Sequence, residues 1–174
     1  MGKRSDFARR ERDFYPTPVE AVRPLLPHLA PRTRFIEPCA GDGALIDHLK
    51  AAGHRCVAAW DIEPQRPDIT RADALEAHAP AADCFITNSP WDRKILHPLI
   101  VRLSEQAPTW LLFDADWVHT VQAVPYLPRL RRIVAVGRVK WIPDSKFTGK
   151  DNCCWHLFDA RHRPVAQFIG RMAA

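Results

Sequence analysis

The chain has 174 residues, 47% of them hydrophobic, which is enough for one domain with a sizeable core and short for two. No apolar run reaches the ~18 residues of a membrane-spanning helix, so the sequence predicts no membrane partner. Lys and Arg number 25 against 20 Asp and Glu, and the resulting net charge of +5 is a modest indication of a polyanionic partner.

Two features of the chain bear on its compartment. The first residues, Met1 to Asp6, are charged and lack the apolar stretch of a secretory signal. The five cysteines are odd in number and include no C-x-x-C pair, which argues against a disulfide framework and against a zinc site. This pattern favours a reducing cytoplasm.

Basic residues concentrate in two stretches of the chain. An N-terminal arm, residues 1–12, holds five of them, and residues 129–150 hold seven against Asp144 alone. Such clusters fit either a solvated basic surface or contact with the phosphates of a nucleic acid, and both interpretations stay open. The candidate contacts for a nucleic acid are Arg9, Arg10, Arg12, Lys146 and Lys150.

Capping signals and apolar runs predict that helices and strands alternate along the first two thirds of the chain. Thr17, Pro18 and Glu20 predict a helix start, with Thr17 as the N-cap and Glu20 completing a capping box. Such an alternation indicates βαβ units and a mostly parallel sheet. In chain order the further elements are a strand at 34–37, a helix at 44–52, strands at 56–61 and 84–87, a helix through 95–103 and a strand at 110–113.

The last third of the chain has a different pattern. Residues 133–141 and 153–158 predict two strands joined by a polar, basic loop at 143–152. Strands joined in this way form an antiparallel hairpin. The predicted fold class is therefore α/β, a single Rossmann-like, doubly wound sheet that is mostly parallel and carries a C-terminal antiparallel hairpin.

The turn after the strand at 34–37 combines an acid with two glycines. Glu37 ends the strand, and Gly41 and Gly43 precede the helix. Small residues let a backbone approach a ligand closely, and an acid suits a ligand with an ammonium group better than one with phosphates. The alternative is a plain β–α turn in which the glycines serve geometry alone.

The next predicted strand also ends in an acid. Asp61 stands where Rossmann-like nucleoside sites place a carboxylate on the ribose hydroxyls, and Ile62 beside it offers an apolar surface for adenine. Asp73, further along, is a candidate acceptor for the exocyclic amine of adenine. The alternative for Asp73 is an exposed loop acid.

Asn88, Ser89, Pro90 and Trp91 follow the strand at 84–87 and indicate chemistry at an amino nitrogen. The lone pair of a nucleobase or amide nitrogen is delocalised, so that nitrogen is a poor nucleophile. The side-chain oxygen of Asn88 and the main-chain carbonyl of Ser89 are two acceptors that would draw the nitrogen toward sp³ geometry. Pro90 stiffens the turn, and Trp91 offers a flat surface for an extruded base. Alone, the four residues also fit an ordinary turn before a core tryptophan.

Taken together, these segments resemble class I methyltransferases that modify amino nitrogens. Residues 13–18, Asp-Phe-Tyr-Pro-Thr-Pro, look like the N-terminal cofactor segment of DNA adenine-N6 methyltransferases, short phage-borne ones included. The position of this segment ahead of the others is that of the γ arrangement. The resemblance covers most of residues 13–160, and residues 137–142 and 151–155 also look like the phage-type group.

The resemblance implies methyl transfer from S-adenosylmethionine to N6 of adenine in DNA, by a methyltransferase domain at 13–174 behind the basic arm at 1–12. It implies no metal, because the sulfonium is already an activated donor. The residues that match the cofactor motifs are Tyr15, Thr17, Pro18, Glu37, Gly41, Gly43, Asp61, Ile62 and Asp73. The residues that match the catalytic tetrapeptide are Asn88, Ser89, Pro90 and Trp91.

Two features depart from the family pattern. The family tetrapeptide usually has two prolines, and Ser89 replaces the first. Serine keeps the main-chain carbonyl that this position uses, at the cost of a more flexible turn. No separate target-recognition domain is expected, which implies relaxed or short sequence specificity, or recognition by the loop at 143–152 alone.

Several alternatives remain open from the sequence. The acceptor amine could instead belong to an RNA adenine, to cytosine N4 or to a protein glutamine, since the tetrapeptide chemistry serves each of them. The replacement at Ser89 also allows a non-catalytic module that binds S-adenosylmethionine or DNA.

Overall fold

The strands of the protein join into one sheet. The computed structural model describes residues 14–142, 148–161 and 166–170. Within these ranges the strands are β1 (Arg34–Glu37), β2 (Arg55–Asp61), β3 (Thr70–Arg71), β4 (Cys84–Thr87), β5 (Thr109–Asp114), β6 (Leu130–Arg138), β7 (Asn152–Phe158) and β8 (Gln167–Ile169). Their order in the sheet is β3-β2-β1-β4-β5-β7-β6-β8. β7 runs antiparallel to β5 and β6, and the remaining neighbouring pairs are parallel.

In the described part of the chain three α-helices flank the sheet: α1 (Val19–Val22), α2 (Ala44–Ala51) and α3 (Arg93–Gln106), with short 3₁₀ turns at Leu26–His28, Ala115–His119, Val121–Ala123 and Leu127–Arg129. Asp92 caps α3, because its carboxylate accepts a hydrogen bond from the backbone N–H of Lys94 at 2.9 Å. At 14 residues α3 is the longest helix that the structure describes. Across the described residues, no helix is both long and apolar enough to cross a membrane.

The predicted capping box at the start of α1 is wrong. Pro18, not Thr17, occupies the N-cap with extended backbone, and no side chain caps the helix. Thr17 is instead buried, at 5% exposure. The helix lasts four residues because Pro24 has no N–H to continue its hydrogen-bond series.

The predicted α/β fold class is confirmed, as are the antiparallel strands near the C-terminus. β1 and β4 occupy the residues that the apolar runs predicted, and β6 ends at Arg138, three residues before the predicted end. Two strands were missed. β3 has two exposed residues, and β8 is an edge strand of three residues in which Phe168 is 68% exposed. Neither carries the buried apolar pattern on which strand prediction depends.

The core lies on both faces of the sheet. On one face α1 and α2 pack over residues such as Phe35 and Leu112, and on the other α3 packs over Phe85 and Phe113. Trp155 of β7 also donates a 2.8 Å hydrogen bond from its buried indole nitrogen to the carbonyl oxygen of Ala21 in α1. This bond satisfies a polar group that would otherwise be costly to bury, and it anchors the N-terminal segment to the sheet.

One edge of the sheet collects the loops that follow its parallel strands. The parallel strands β1, β2, β4 and β5 all end there, and the β4 end leads directly into the Asn88 turn. Arg138, the last residue of β6, pairs with Asn152, the first of β7, and Cys153 pairs with Asp114 at the end of β5. The end of β6 and the start of β7 therefore lie at this same carboxyl edge, where open α/β sheets bind ligands.

Candidate functional site

The turn after β1 needs both of its glycines. Gly41 has φ of 52° and Gly43 has φ of 78°, a region that favours glycine. A methyl group at Gly41 would lie 2.8 Å from the Phe14 ring, and one at Gly43 would lie 2.5 Å from the Arg66 guanidinium. The turn is thus held between two other side chains and leads directly into α2.

Glu37 is a buried acid at the end of β1, with 2% of its surface exposed. Its Oε2 atom is buried without a hydrogen-bond partner among the described residues. Burial raises the pKa of this carboxyl well above its usual value, and the neighbouring acids Asp42 and Asp61 raise it further. A buried acceptor in an acidic surrounding is suited to a cationic or hydrogen-donating ligand group.

The Asp61 carboxylate connects the loops that follow β1 and β2 by hydrogen bonds. One carboxylate oxygen accepts from the backbone N–H of Gly41 at 2.8 Å, and the other accepts from that of Glu63, also at 2.8 Å. Each oxygen has a second lone pair, so the carboxylate retains acceptor capacity. Ile62, the next residue, is 50% exposed at this edge.

Asp73 lies near Asp61, but its carboxylate accepts a hydrogen bond within the turn to which it belongs. The backbone N–H of Ala72 donates to the carbonyl oxygen of Asp61 at 3.0 Å, which brings the two acids close along the chain path. The Asp73 carboxylate accepts from the backbone N–H of Leu75 at 2.8 Å, and the residue is exposed. The structure therefore leaves Asp73 compatible with both of its sequence interpretations.

Arg66 is a residue of the site that the sequence did not indicate. Its guanidinium lies over Gly43 and forms 2.7 Å ion pairs with Asp47 of α2 and with Asp68. These contacts connect the loop after β2 to the first turn of α2. No local pattern marks Arg66, because its partner Asp47 is 19 residues away.

The segment before α1 links the glycine turn to the Asn88 turn. Phe14 packs over Gly41, and the carbonyl oxygen of Tyr15 accepts a 3.3 Å hydrogen bond from the Asn88 side-chain Nδ2. Tyr15 is half-buried, and Thr17 and Pro18 continue into α1. The structure thus brings the predicted N-terminal segment to both halves of the candidate site.

The tetrapeptide at 88–91 lies immediately after β4, whose residues are all buried. Because Nδ2 of Asn88 donates to Tyr15, the side-chain Oδ1 is the atom left to act as an acceptor, and no described residue donates to it. Ser89 is buried at 3% exposure, and its hydroxyl has no partner within the described part of the chain. Pro90 and Trp91 are half-buried.

Aromatic side chains surround the Asn88 turn. The Trp91 and Trp141 rings lie 6.3 Å apart at 88°, and Tyr15 and Trp141 lie 6.5 Å apart at 57°. Sequence reasoning placed Trp141 in a strand and gave it no role at the site. Its proximity to Trp91 depends on the path of the chain beyond β6, which local sequence does not indicate.

The structure describes only part of the predicted nucleic-acid contacts. Arg9, Arg10, Arg12 and Lys146 lie outside the described residues. Lys150 is half-buried just before β7, at the carboxyl edge that holds the other site residues. As for metals, no cluster of three or more His, Cys, Asp or Glu that could hold an ion occurs within the described ranges.

The buried hydroxyl of Ser89 leads to a stability prediction. We expect Ser89→Ala to raise the free energy of unfolding by roughly 1 kcal/mol, because it removes a buried polar group that has no partner among the described residues. That corresponds to an increase of about 2–4 °C in melting temperature, measurable by calorimetry.

Ser104→Ala is the matched control for this substitution. Ser104 is also fully buried, but its hydroxyl donates to the carbonyl oxygen of Val101 at 3.3 Å and accepts from Arg129 at 3.4 Å. Its loss should lower the melting temperature. A lower melting temperature for Ser89→Ala as well would mean that the Ser89 hydroxyl is paired in solution.

No protein-family model and no curated protein sequence matches the chain. Solved structures do match. A candidate RNA methyltransferase from Pyrococcus horikoshii has 14% identity over 90% of this chain and 92% of that chain, with a TM-score of 0.61. A dimethyladenosine transferase from Plasmodium falciparum has 16% identity over 85% of this chain and 63% of that one, with a TM-score of 0.59.

A third similar structure is the modification subunit of a candidate type I restriction enzyme from Vibrio vulnificus. It has 12% identity over 92% of this chain and 48% of that chain, with a TM-score of 0.56. The chain therefore spans less than two thirds of the length of the last two proteins. At such low identity these likenesses show the fold, which is that of class I methyltransferases.

Proposed function

We propose that the protein transfers a methyl group from S-adenosylmethionine to the N6 amine of adenine in DNA, with relaxed or short sequence specificity. The observation that carries the proposal is the orientation of Asn88. Its Nδ2 donates to Tyr15, so its Oδ1 is available as an acceptor at the edge of the sheet where Glu37 and Asp61 also end their strands.

The residues at the ends of β1 and β2 fit the cofactor. The buried Oε2 of Glu37, which has no partner in the described ranges, would accept from the ammonium group of the methionine moiety. The remaining lone pairs of Asp61 would accept from the ribose hydroxyls. The exposed Ile62 would pack on the adenine ring, with Asp73 near its amine. The cofactor supplies an activated methyl group, so no metal is needed.

The remaining predicted cofactor residues follow from the same arrangement. Gly41 and Gly43 let the backbone of the turn approach the ligand, since neither carries a side chain. Tyr15, Thr17 and Pro18 would line the methionine end, because this segment passes between the glycine turn and Asn88.

At the acceptor end, Asn88 and Ser89 would act on the target nitrogen. The Asn88 Oδ1 and the Ser89 carbonyl would accept the two amine hydrogens, which directs the nitrogen lone pair toward the methyl group. Trp91 would stack on the extruded base. Pro90 would limit the conformations of the turn.

The choice of a nucleic acid as substrate rests on two supports. The similar structures include a candidate RNA methyltransferase, a dimethyladenosine transferase and a restriction-enzyme modification subunit. The chain also carries basic clusters, with Lys150 at the site edge and Arg9, Arg10, Arg12 and Lys146 in addition. We favour DNA over RNA because of the sequence resemblance. We further propose that residues 13–174 act as one catalytic domain without a separate target-recognition domain.

The test is methyl transfer from labelled S-adenosylmethionine to DNA, RNA and protein offered side by side, followed by nucleoside analysis of the product. The expected product is N6-methyladenine in DNA, absent with Asn88→Ala. Label in RNA adenine, cytosine N4 or a glutamine amide would move the proposal to that acceptor. Cofactor binding without transfer to any of them would indicate a non-catalytic module.

Cofactor binding can be tested before the acceptor is known. We expect S-adenosylmethionine to stabilise the protein by about 2.7 kcal/mol at a hundredfold excess over its dissociation constant, because it binds only the folded chain. Asp61→Ala should remove most of this cofactor-induced increase in melting temperature, since both the ribose contact and the Gly41 contact are lost.

Asp83→Ala is the control for Asp61→Ala. Asp83 also accepts a backbone N–H, that of Arg34 at 2.7 Å, but at the start of β1 on the opposite edge of the sheet. This variant should keep the full cofactor-induced increase. The cofactor site would be placed wrongly if Asp61→Ala kept the same increase as Asp83→Ala.

A further inference from the structure

The chain leaves β6 through a bulge that redirects it toward the Asn88 turn. The register between β6 and β7 shifts between Ala135 and Gly137, and Gly137 has φ of 92°. A bulge of this kind bends a strand end and changes where the next side chains lie. Beyond it Val139 is buried, at 1% exposure, and Trp141 lies beside Trp91.

Trp141 touches both sides of the candidate site and also the loop that follows. It is in edge contact with Trp91 and in tilted contact with Tyr15, whose carbonyl holds Asn88. Gly149 also lies against the indole: a methyl group there would be 3.1 Å from Cδ1 of Trp141 and 3.0 Å from the carbonyl oxygen of Val139.

The loop end is fixed in this position by a backbone hydrogen bond. The N–H of Gly149 donates to the carbonyl oxygen of Val139 at 2.8 Å. Trp141 therefore has Gly149 and the Trp91 and Tyr15 rings as neighbours, and it also packs against the core on the α1 and α2 side of the sheet. A partly buried ring with several packed neighbours has few alternative rotamers, and it restricts the positions of those neighbours in turn.

We propose that Trp141 is a positioning residue that holds the Trp91 ring in the orientation needed to capture the target base, and that Gly149 holds Trp141. The inference rests on the proposed function, in which Trp91 stacks on that base. Since Gly149 lies against Trp141 and Trp141 against Trp91, a substrate contact at Gly149 would be transmitted to Trp91 through Trp141.

The first test is a double-mutant cycle on steady-state methylation of mixed-sequence double-stranded DNA. We expect Trp141→Ala to raise KM for DNA about 2- to 10-fold, the range of one aromatic edge contact, with kcat and cofactor affinity near wild type. Trp141→Phe should restore most of the loss. Because Trp141 acts through Trp91, adding Trp141→Ala to Trp91→Ala should raise KM little further.

The second test perturbs Trp141 from the loop side and needs no change in the tryptophan. Gly149→Ala should raise KM for DNA in the same direction as Trp141→Ala, because the added methyl group must displace the indole or the Val139 carbonyl. Gly170→Ala is the matched control, since a methyl group at Gly170 meets no atom of the described residues within 4 Å. If Trp141→Ala fails to fold, the comparison of Gly149→Ala with Gly170→Ala tests the positioning role of Trp141 by itself.

The outcomes separate this inference from the proposed function. Suppose that the wild-type protein methylates DNA. Additive KM effects in the double-mutant cycle, or an unchanged KM for Gly149→Ala, would then overturn the role of Trp141 and leave the proposed function standing. Wild-type protein that methylates none of the offered acceptors would overturn the proposed function, and the inference with it.

Discussion

Asn88→Ala is expected to lower kcat by about 10²- to 10³-fold while leaving the affinity for S-adenosylmethionine nearly unchanged. The hydrogen bond from the target amine to the Asn88 oxygen would strengthen as the nitrogen rehybridises and gains positive charge, so its contribution falls mainly on the transition state. Among the described residues its Nδ2 donates to Tyr15 alone, so the cofactor site at Glu37 and Asp61 should remain intact. The measurement is steady-state methylation of DNA together with cofactor titration of the same protein samples.

Two further variants distinguish the chemical role of Asn88 from its structural one. Asn88→Asp keeps an acceptor but loses the donor to the Tyr15 carbonyl, so partial activity is expected. Ser89→Pro should be neutral or mildly activating, because the proposed mechanism uses only the carbonyl of that residue and the buried hydroxyl is unpartnered among the described residues. Turnover by Asn88→Ala at the wild-type rate would show that residues 88–91 form only a turn.

The strands of the sheet were predictable wherever consecutive apolar residues are buried. β1 and β4 are runs of four residues whose apolar members are buried, and their bounds match the prediction. The end of α2 was also predictable from the sequence, because Gly53 follows it. Gly53 has φ of 89°, and its N–H donates to the carbonyl oxygen of Lys50. β3 and β8 depend on pairing with longer strands and carry no such signal.

The candidate site was predictable only in part, for a similar reason. The acids and glycines after β1 and β2 follow from the general rule that ligands bind at the carboxyl ends of parallel strands. The contact of Asn88 with Tyr15 joins residues 73 apart, and those of Arg66 with Asp47 and of Trp141 with Trp91 also arise from tertiary packing. No local pattern encodes such contacts. The phage-type family itself remains a prediction.

The second large effect is expected at Glu37, where Glu37→Gln should stabilise the protein yet weaken cofactor binding. Burial holds the pKa of this carboxyl above its unfolded value, so the folded chain retains a proton that the unfolded chain releases. The contribution of Glu37 to stability is therefore present at low pH and is lost as pH rises through the raised pKa, at up to ~1.4 kcal/mol per pH unit. Glutamine keeps the shape of the neutral acid and avoids this loss.

The difference in free energy of unfolding between Glu37→Gln and wild type should therefore grow as pH rises, and urea denaturation from about pH 5 to pH 8 measures it. Burial lowers the pKa of His156 to about 3, so this residue destabilises the folded protein as pH falls, in the direction opposite to Glu37. His156 is present in both proteins, so comparing them at each pH removes its effect. Asp159→Asn is the control, because that buried carboxylate is paired with Arg161 at 3.1 Å and its neutralisation should destabilise the protein.

Although Glu37→Gln should stabilise the protein, it should lower the affinity for the cofactor. An ionised Glu37 would give the ammonium group of S-adenosylmethionine a charge-assisted hydrogen bond, and its loss in Glu37→Gln should weaken binding about 10- to 100-fold. Wild-type affinity should rise with pH until Glu37 is ionised in the free protein, whereas the affinity of the variant should stay flat in this range. A variant that is less stable than wild type and binds the cofactor equally well would show that Glu37 is a structural anion and not a ligand of the cofactor.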